Sequence, residues 1–323
     1  NPTANRFVQI GNQKWSQAAP SGLAYWERLA DILNREPVQE RDRIMMAMLR
    51  TDETDMIWYN QLTVRELPLI ESDPKLRVIP IRGAGTAILH FNASKPPFDS
   101  QALRQAIGFA IDRQTLVNVL YGGEGKPAYS MIAAGWAYNP NIKVNYYDLD
   151  KAKQKLAEAG YPKGLSVPIG CQPTGIYFET CEALQAMLKN VGINVNMEVV
   201  PVANYFAMDD KGYFRRQGFG ASTWAHRIDP HILMQALWHK DGFKVLGTYD
   251  NPELNNLIVE AATVYDTAKA KAMYDKMQTM AAESAIVLFL QWGDKFQPMN
   301  KRVQNFVPLP SIFEHLEFVW LDR

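Results

Sequence analysis

The sequence lacks an excess of charge of either sign. Its 34 lysines and arginines balance its 34 aspartates and glutamates. Domains that bind nucleic acid or an anionic membrane through a general field carry a surplus of positive charge. The balance therefore argues against nucleic acid, a membrane surface or a polycationic partner, and any charge selectivity must come from local groups.

Long apolar runs are missing as well. A helix that spans a membrane needs roughly 18 or more apolar residues in succession. The apolar stretch around Ala285 to Leu290 is far shorter than that. The sequence therefore predicts no membrane-spanning helix.

Cysteine is scarce, with Cys171 and Cys181 as the two examples in the chain. They form no CxxC pair, and no nearby histidine completes a ligand set, which argues against a zinc site. Two interpretations stay open. The pair is either two reduced, structural thiols or a disulfide, which an oxidising compartment would favour.

What the sequence does contain is typical of a globular protein, with 47% hydrophobic and 21% charged residues. At about 150 residues per domain, a chain of 323 residues predicts two domains or lobes.

Apolar periodicity predicts helices that alternate with short strands. After Asp99 or Ser100, apolar residues recur every three or four positions until Gly122, which predicts one long helix. Alternation of this kind predicts an α/β fold with a central sheet. The other predicted helices follow Asp148 and cover about 180–190, 252–265 and 267–283, and the predicted strands are 87–91, 165–170, 194–200, 219–223 and 286–291.

The segment Gly220–His239 holds three of the five histidines. It reads as a strand followed by a helix with Asp229 as N-cap, so residues 224–229 form a strand-to-helix loop. Ligands in open α/β sheets bind at the carboxyl ends of strands, where such loops lie. The pattern therefore predicts a ligand-facing loop, in which Trp224 offers an apolar wall and Arg227 a fixed charge.

Two other chemistries are possible for the same segment. A metal site would use His226 and His231, but Pro230 interrupts the helix that would place them on one face, and no further ligands are evident. A hydrolase would use His226 with Asp229 and a nucleophile such as Ser222, but the sequence contains no GxSxG elbow. Both are weaker than the ligand-facing loop.

Aromatic residues in two further segments are candidates for the same site. Trp136 and Tyr138 lie in the loop "PAYSMIAAGWAYNP", and Tyr177 lies between a predicted strand and a predicted helix. Each of them either lines a binding site or packs in the core. The acidic stretch "RTDETD" is interpreted as a solvated turn rather than a metal site.

Several segments occur in a fixed order along the chain. "RTDETDMIW" comes first, and the block 71–123 then contains "FN", "PPF", "RQAI" and "AIDR". "YDLDKAKQKLAEAGYPKG" follows, and a helix pair with a return strand closes the series. This set, over residues 24–308, resembles the solute-binding proteins of ABC importers that bind peptides, opines and nickel chelates, that is, bacterial extracellular solute-binding protein family 5.

The resemblance implies a two-lobe, type II periplasmic binding protein fold that lacks much of the first lobe. Members of the family carry about one more lobe's worth of chain before the position of Asn1, so we expect a fragment or a truncated relative. By this resemblance residues 1–82 are part of lobe I and the crossover, 83–281 are lobe II, and 282–323 are the return strand and the C-terminal part of lobe I.

The resemblance also implies a function. We expect a periplasmic, monomeric protein that captures a peptide or peptide-like solute and delivers it to the membrane subunits of an ABC transporter. Its lobes would close on the solute without chemistry, so we expect no enzymatic activity, cofactor or metal. The alternative is an interaction module, or a truncated relative, that binds no solute.

The candidate loop departs from the family pattern at one informative point. Trp224 and the pair Asp229–Pro230 match, but His226 or Arg227 stands where peptide-binding relatives have an aspartate that holds the ligand's α-amino group. An arginine presents donors suited to a carboxylate or phosphate. The departure therefore favours a solute that carries an anionic group.

Overall fold

The computed structural model describes residues 38–57, 66–123, 125–132, 135–142, 144, 146–173, 175–205, 213, 219–224, 229–242, 248–307, 316 and 318–322. The chain divides into two compact units. Unit 1 comprises the described parts of Asn1–Ala84, Pro173–Phe178 and Asp294–Arg323, and unit 2 those of Gly85–Gln172 and Glu179–Gly293. The assignment of lobes made from the sequence stays a prediction.

Helices and strands alternate through the described residues. The helices are α1 (Val38–Arg50), α2 (Leu67–Glu71), α3 (Gln101–Ala110), α4 (Arg113–Tyr121), α5 (Leu149–Glu158), α6 (Gly175–Lys189), α7 (Val202–Tyr205), α8 (Pro230–Trp238), α9 (Pro252–Ala261) and α10 (Thr267–Ser284). The strands are β1 (Leu76–Phe91), β2 (Lys126–Pro127), β3 (Leu165–Cys171), β4 (Ile193–Val199), β5 (Phe219–Trp224), β6 (Val287–Asn300), β7 (Val303–Gln304) and β8 (Trp320–Leu321).

Six strands form one mixed sheet in the order β2-β6-β1-β5-β3-β4. Strand β3 runs parallel to β4 and β5, whereas β1 runs antiparallel to β5. Strands β7 and β8 form a small antiparallel pair. The arrangement confirms the α/β fold class, although β1 and β6 have 16 and 14 residues and are much longer than the predicted strands 87–91 and 286–291.

The prediction of one long helix after Ser100 is wrong, because the chain forms two helices that meet at Ile111–Asp112. The carboxylate of Asp112 accepts from the backbone N–H of Thr115 at 3.1 Å, and so starts α4 as an N-cap. Apolar spacing continues across the break, so periodicity by itself does not reveal it. Ser100 is the N-cap of α3, where it accepts from the N–H of Leu103.

The core of unit 2 lies between the sheet and helices α8, α9 and α10. Ile88 of β1 and Phe289 of β6 contribute from the sheet, and Leu233, Leu237 and Trp238 contribute from α8. Trp238 is 1% exposed and is therefore a core residue. Burial of these side chains fixes α8, and with it the N-cap residue Asp229.

In unit 1, the stretch "RTDETD" forms a turn after α1 as predicted, but its last two residues, Thr54 and Asp55, are buried and not solvated. Asp55 is 0% exposed, and its carboxylate accepts from the guanidinium of Arg302. Asp52 accepts from Lys75 at 3.0 Å and from Asn300 at 2.7 Å. The acidic stretch therefore joins segments that are far apart in sequence, because a buried carboxylate requires a cationic or hydrogen-bonding partner.

Candidate functional site

The predicted strand and helix on either side of residues 225–228 are present in unit 2, and residues 225–228 themselves lie outside the described residues. Strand β5 ends at Trp224, and α8 begins at Pro230. Asp229 is the N-cap, since its Oδ1 accepts from the N–H of His231 at 2.8 Å. These observations confirm the boundaries of the loop and the cap.

The remaining candidates of this loop stay predictions. His226 and Arg227 lie outside the described residues, and of Trp224 the structure describes the backbone. Trp224 pairs with Thr86 of β1 at the end of the β1–β5 ladder. Its backbone lies at the carboxyl end of β5, and open α/β sheets bind ligands at the carboxyl ends of their strands.

Tyr274 of α10 connects two of the predicted site residues. The ring of Trp136 stands edge-on to the ring of Tyr274, with centroids 5.2 Å apart at 87°. Burial, and to a smaller extent the negative charge of Asp229, raise the pKa of Tyr274 to about 12. Trp136 itself is 47% exposed, so one face of this group is open to solvent.

Tyr138 lies against an aromatic residue that sequence reasoning did not single out. Its ring stands at 75° to that of Trp292, with centroids 6.2 Å apart. Trp292 also donates from Nε1 to the carbonyl of Ser130 at 2.9 Å. The available signal was the sequence "FLQW" at the end of the predicted return strand, where the last aromatic residue follows an apolar run.

The loop that carries Trp136 and Tyr138 is fixed to α10 by side-chain amides. Gln278 donates to the carbonyl of Ala137 at 2.8 Å, and Asn139 donates to the carbonyl of Asp275 at 3.4 Å. Gln278 is 2% exposed, so the first bond is made away from water. The two aromatic residues are therefore presented from a supported loop.

At the carboxyl end of β3, Cys171 and Cys181 form a disulfide with their Cα atoms 6.2 Å apart. This decides between the two interpretations of the cysteines.

Tyr177 lies near the start of α6, within the segment Pro173–Phe178 that belongs to unit 1. It therefore does not share a unit with Trp136, Tyr138 and Asp229.

A cluster of buried polar side chains contains Ser222, the nucleophile of the hydrolase interpretation. The hydroxyl of Tyr205 donates to the carbonyl of Ala221 at 3.0 Å and lies 3.2 Å from Nε2 of His90. Nδ1 of His90 lies 3.4 Å from the hydroxyl oxygen of Ser222, within hydrogen-bond distance. Ser222 is 2% exposed and is engaged with His90, so it is not an accessible nucleophile.

Glycine permits this cluster to pack against the sheet. A Cβ at Gly220 would overlap the hydroxyl of Tyr205, and a Cβ at Gly170 would overlap the ring of Tyr213. The rings of Tyr205 and Tyr213 are stacked at 8° with centroids 6.1 Å apart. The cluster therefore anchors Tyr205 and Tyr213 on the sheet.

Two features are absent from the part of the chain that the structure describes. Among those residues, no group of three or more histidine, cysteine, aspartate or glutamate side chains could hold a metal ion. Over the same ranges, none of the helices combines the length and the apolar character needed to cross a bilayer.

Comparison with known proteins gives the family. The model of the bacterial extracellular solute-binding proteins, family 5, matches residues 24–245. The chain belongs to this family. This confirms the resemblance found in the ordered segments of the sequence.

Relatives and solved structures agree with the family. Haem-binding protein A of Haemophilus influenzae is 27% identical over 284 residues, which are 85% of this chain and 51% of the relative. The dipeptide-binding protein of Escherichia coli is 24% identical over 80% of this chain and 49% of its own length. The chain spans about half the length of these relatives.

Among solved structures, the periplasmic binding protein DppA of Helicobacter pylori, in complex with the peptide STSA, superposes with a TM-score of 0.77. It is 26% identical, and the match covers 87% of this chain and 55% of that protein. The NikA structure from Staphylococcus aureus, at 20% identity and a TM-score of 0.77, shows the same fold. The fold is thus that of the type II periplasmic binding proteins.

Proposed function

We propose that this chain is part of a periplasmic protein that captures a peptide or peptide-like solute and delivers it to the membrane subunits of an ABC transporter. The observation that carries the proposal is the family match over residues 24–245. Relatives named for binding dipeptides and peptides support the choice of solute. The solute would be released unchanged, so the protein would not be an enzyme.

The loop 224–229 is the proposed centre of recognition. Arg227 lies two residues before the N-cap of α8. A helix N-terminus and an arginine both favour negative charge, so this end of the loop suits a carboxylate of the solute. His226 is a further donor of the same loop, and Trp224 would supply an apolar wall.

Aromatic side chains are the proposed apolar part of the site. Trp136 is exposed beside Tyr274, and Tyr138 is half-buried beside Trp292. Flat, supported rings bury a large area of a ligand at a small cost in side-chain entropy. Tyr177 is proposed as a further aromatic residue that contacts the solute.

Closure would be favoured by the solute's contacts with both lobes. A ligand shifts such an equilibrium by the difference between its affinities for the closed and open forms. Asp229 is proposed as a positioning residue here, because its Oδ1 is already occupied by the N–H of His231. It would fix the start of α8 and only secondarily face the solute.

The experiment that tests this function is native mass spectrometry of the purified protein, followed by calorimetry with the dipeptide Met-Leu. The expected result is a bound solute, either retained through purification or added in the titration, that the protein releases with unchanged mass. A protein that binds neither its own solute nor a panel of peptides would be an interaction module, and a solute that leaves with altered mass would indicate an enzyme.

The role of Arg227 has its own variant. Arg227→Ala should weaken binding of Met-Leu by about 2 kcal/mol, because a desolvated charged hydrogen bond is lost. The loss should be much smaller for the same dipeptide with an amidated carboxyl terminus. Arg50→Ala is the control, since Arg50 is a half-exposed arginine of unit 1 paired with Asp73. Equal affinities of the variant and the wild type in calorimetry would remove Arg227 from the site.

A further inference from the structure

One side chain of α10 contacts both backbone segments that carry the ring pair of Trp136 and Tyr274. Nε2 of Gln278 donates to the carbonyl of Ala137, the residue after Trp136, at 2.8 Å. The same nitrogen donates to the carbonyl of Tyr274 at 3.1 Å. A primary amide has two N–H donors, so both bonds can form at once. Gln278 therefore links the backbone beside one ring to the backbone of the other.

The bond between Gln278 and the loop is made away from water. Gln278 and Ala137 are each 2% exposed. A buried carbonyl that loses its donor costs free energy, because water cannot replace the bond. Oε1 of Gln278 is buried and has no hydrogen-bond partner. The side chain therefore acts on the loop through its donor nitrogen, which a leucine at this position would lack.

Helical spacing places the attachments of the loop along one turn of α10. Tyr274 and Gln278 are four residues apart and so lie on the same face of the helix. The ring of Trp136 stands edge-on to that of Tyr274, with centroids 5.2 Å apart. The carbonyl of Asp275 accepts from Nδ2 of Asn139 at 3.4 Å. The loop is thus held to this turn by one ring contact and by side-chain amides.

The exposed ring of Trp136 lies at the end of these contacts. Trp136 is 47% exposed, whereas its neighbour Ala137 and its partner Tyr274 are buried. A ring that must be ordered during binding lowers the affinity for a solute, whereas a ring that is already in place does not. Gln278 fixes the residue that follows this ring and the residue against which the ring packs.

We propose that Gln278 is a positioning residue of the binding site, which holds the exposed ring of Trp136 against Tyr274 before a solute arrives. It acts on an apolar side chain of the solute through Trp136 and not by direct contact. The part of this inference that concerns the solute rests on the proposed function. The fixed position of the ring is a property of the protein without solute, and it can be measured in that state.

The first test measures the ring without solute. Fluorine NMR of protein labelled with fluorotryptophan reports on each indole, and Trp136→Phe assigns the resonance of Trp136 among those of the 8 tryptophans. Gln278→Leu should shift or broaden this resonance. The resonance of Trp238, a core residue of the same unit that Trp238→Phe assigns, should stay unchanged. A Trp136 resonance identical to that of the wild type would overturn the inference.

Gln185→Leu is the matched control. Gln185 of α6 also donates from Nε2 to a main-chain carbonyl, that of Val195, at 2.6 Å, and it belongs to the same unit. This variant removes a bond of the same kind without touching α10, so the Trp136 resonance should not change. If both variants alter that resonance alike, Gln278 is a general stabiliser and the inference is wrong.

The second test asks whether Gln278 acts through Trp136. Calorimetry with Met-Leu on Gln278→Leu, Trp136→Ala and the double variant forms a double-mutant cycle. Gln278→Leu should weaken binding roughly fivefold by itself and less than about twofold in the Trp136→Ala background. Equal losses in both backgrounds would show that Gln278 acts independently of Trp136, against the inference. Absence of Met-Leu binding by the wild type would count against the proposed function and would leave the NMR readout intact.

Discussion

Buried arginines of unit 2 donate to main-chain carbonyl oxygens, whereas the buried carboxylate of unit 1 accepts from an arginine. In unit 2, Arg113 donates to the carbonyl of Phe289 at 2.6 Å, and Arg104 donates to that of Ser284 at 2.8 Å. In unit 1, Asp55 is 0% exposed and pairs with Arg302. Each unit thus uses buried charge to join distant segments, but with a different partner.

The contrast shows that an arginine within a sequence motif can hold the fold together and need not bind a ligand. Arg104 and Arg113 belong to "RQAI" and "AIDR", and both are almost fully buried among carbonyl groups. Burial lowers the pKa of each to about 10, so both keep their charge at neutral pH. The guanidinium of Arg113 also lies 4.9 Å from the ring centroid of Tyr129. Their role is to attach α3 and α4 to the end of α10 and to β6.

The largest expected effect comes from removing a carbonyl-bound arginine. Arg113→Met should lower the free energy of unfolding of unit 2 by about 3 kcal/mol, because buried carbonyls lose charged donors. Exchange of the α3 amides under native conditions, together with urea unfolding, measures the change. Lys151→Met is the control, since Lys151 forms an exposed pair with Asp148 and should cost less than about 1 kcal/mol. A variant as stable as the wild type would show that these bonds give no net stabilisation.

A smaller effect is expected for the ion pair of unit 1. Asp55→Asn should lower the stability of that unit by about 2 kcal/mol, since Arg302 loses its buried charged partner but keeps Asp52 at 3.9 Å and is 30% exposed to water. Exchange of the α1 amides reports the change. Asp73→Asn, which breaks the pair with the half-exposed Arg50, should cost less than about 1 kcal/mol. Equal losses in the two variants would mean that burial of Asp55 adds nothing.

The smallest effect is the response to acid. A hydrogen bond from Lys75 lowers the pKa of Asp52 below its ordinary value of 3.8, so this carboxylate stabilises the folded state when it is ionised. That contribution is fully present above pH 3.8 and is lost as the pH falls through the lower folded pKa. The buried arginines of unit 2 stay protonated throughout this range.

Acid should therefore weaken unit 1 before unit 2. Urea unfolding at pH 7 and at pH 3, with exchange in α1 and α3 as separate reporters, measures the order. Lys75→Met should reduce the acid sensitivity of unit 1, because Asp52 loses the partner that lowers its pKa. If the α3 amides lose protection from exchange before the α1 amides at pH 3, unit 1 is not the more acid-sensitive unit and the prediction is wrong.

Local features of the fold could be predicted from the sequence, and the candidate site in part. The caps Asp148 and Asp229 and the ends of β3 and β5 were predicted to within a residue or two, since a cap is decided by atoms within a few residues of it. The grouping of Trp136 with Tyr274 could not be predicted, because it depends on how a loop packs against α10.

The sequence by itself determined the α/β alternation, the helix caps and the family, because periodicity, capping chemistry and the order of segments are all properties of the linear chain. Only the tertiary structure decided that Asp55 pairs with Arg302, 247 residues away, and that Cys171 bonds to Cys181. The break between α3 and α4 was also decided there, where Arg113 donates to the carbonyl of Phe289, 176 residues later, in addition to the local cap by Asp112. The physical reason is the same in each case: a buried charge or thiol takes the partner that folding brings to it, and distance along the chain does not encode that partner.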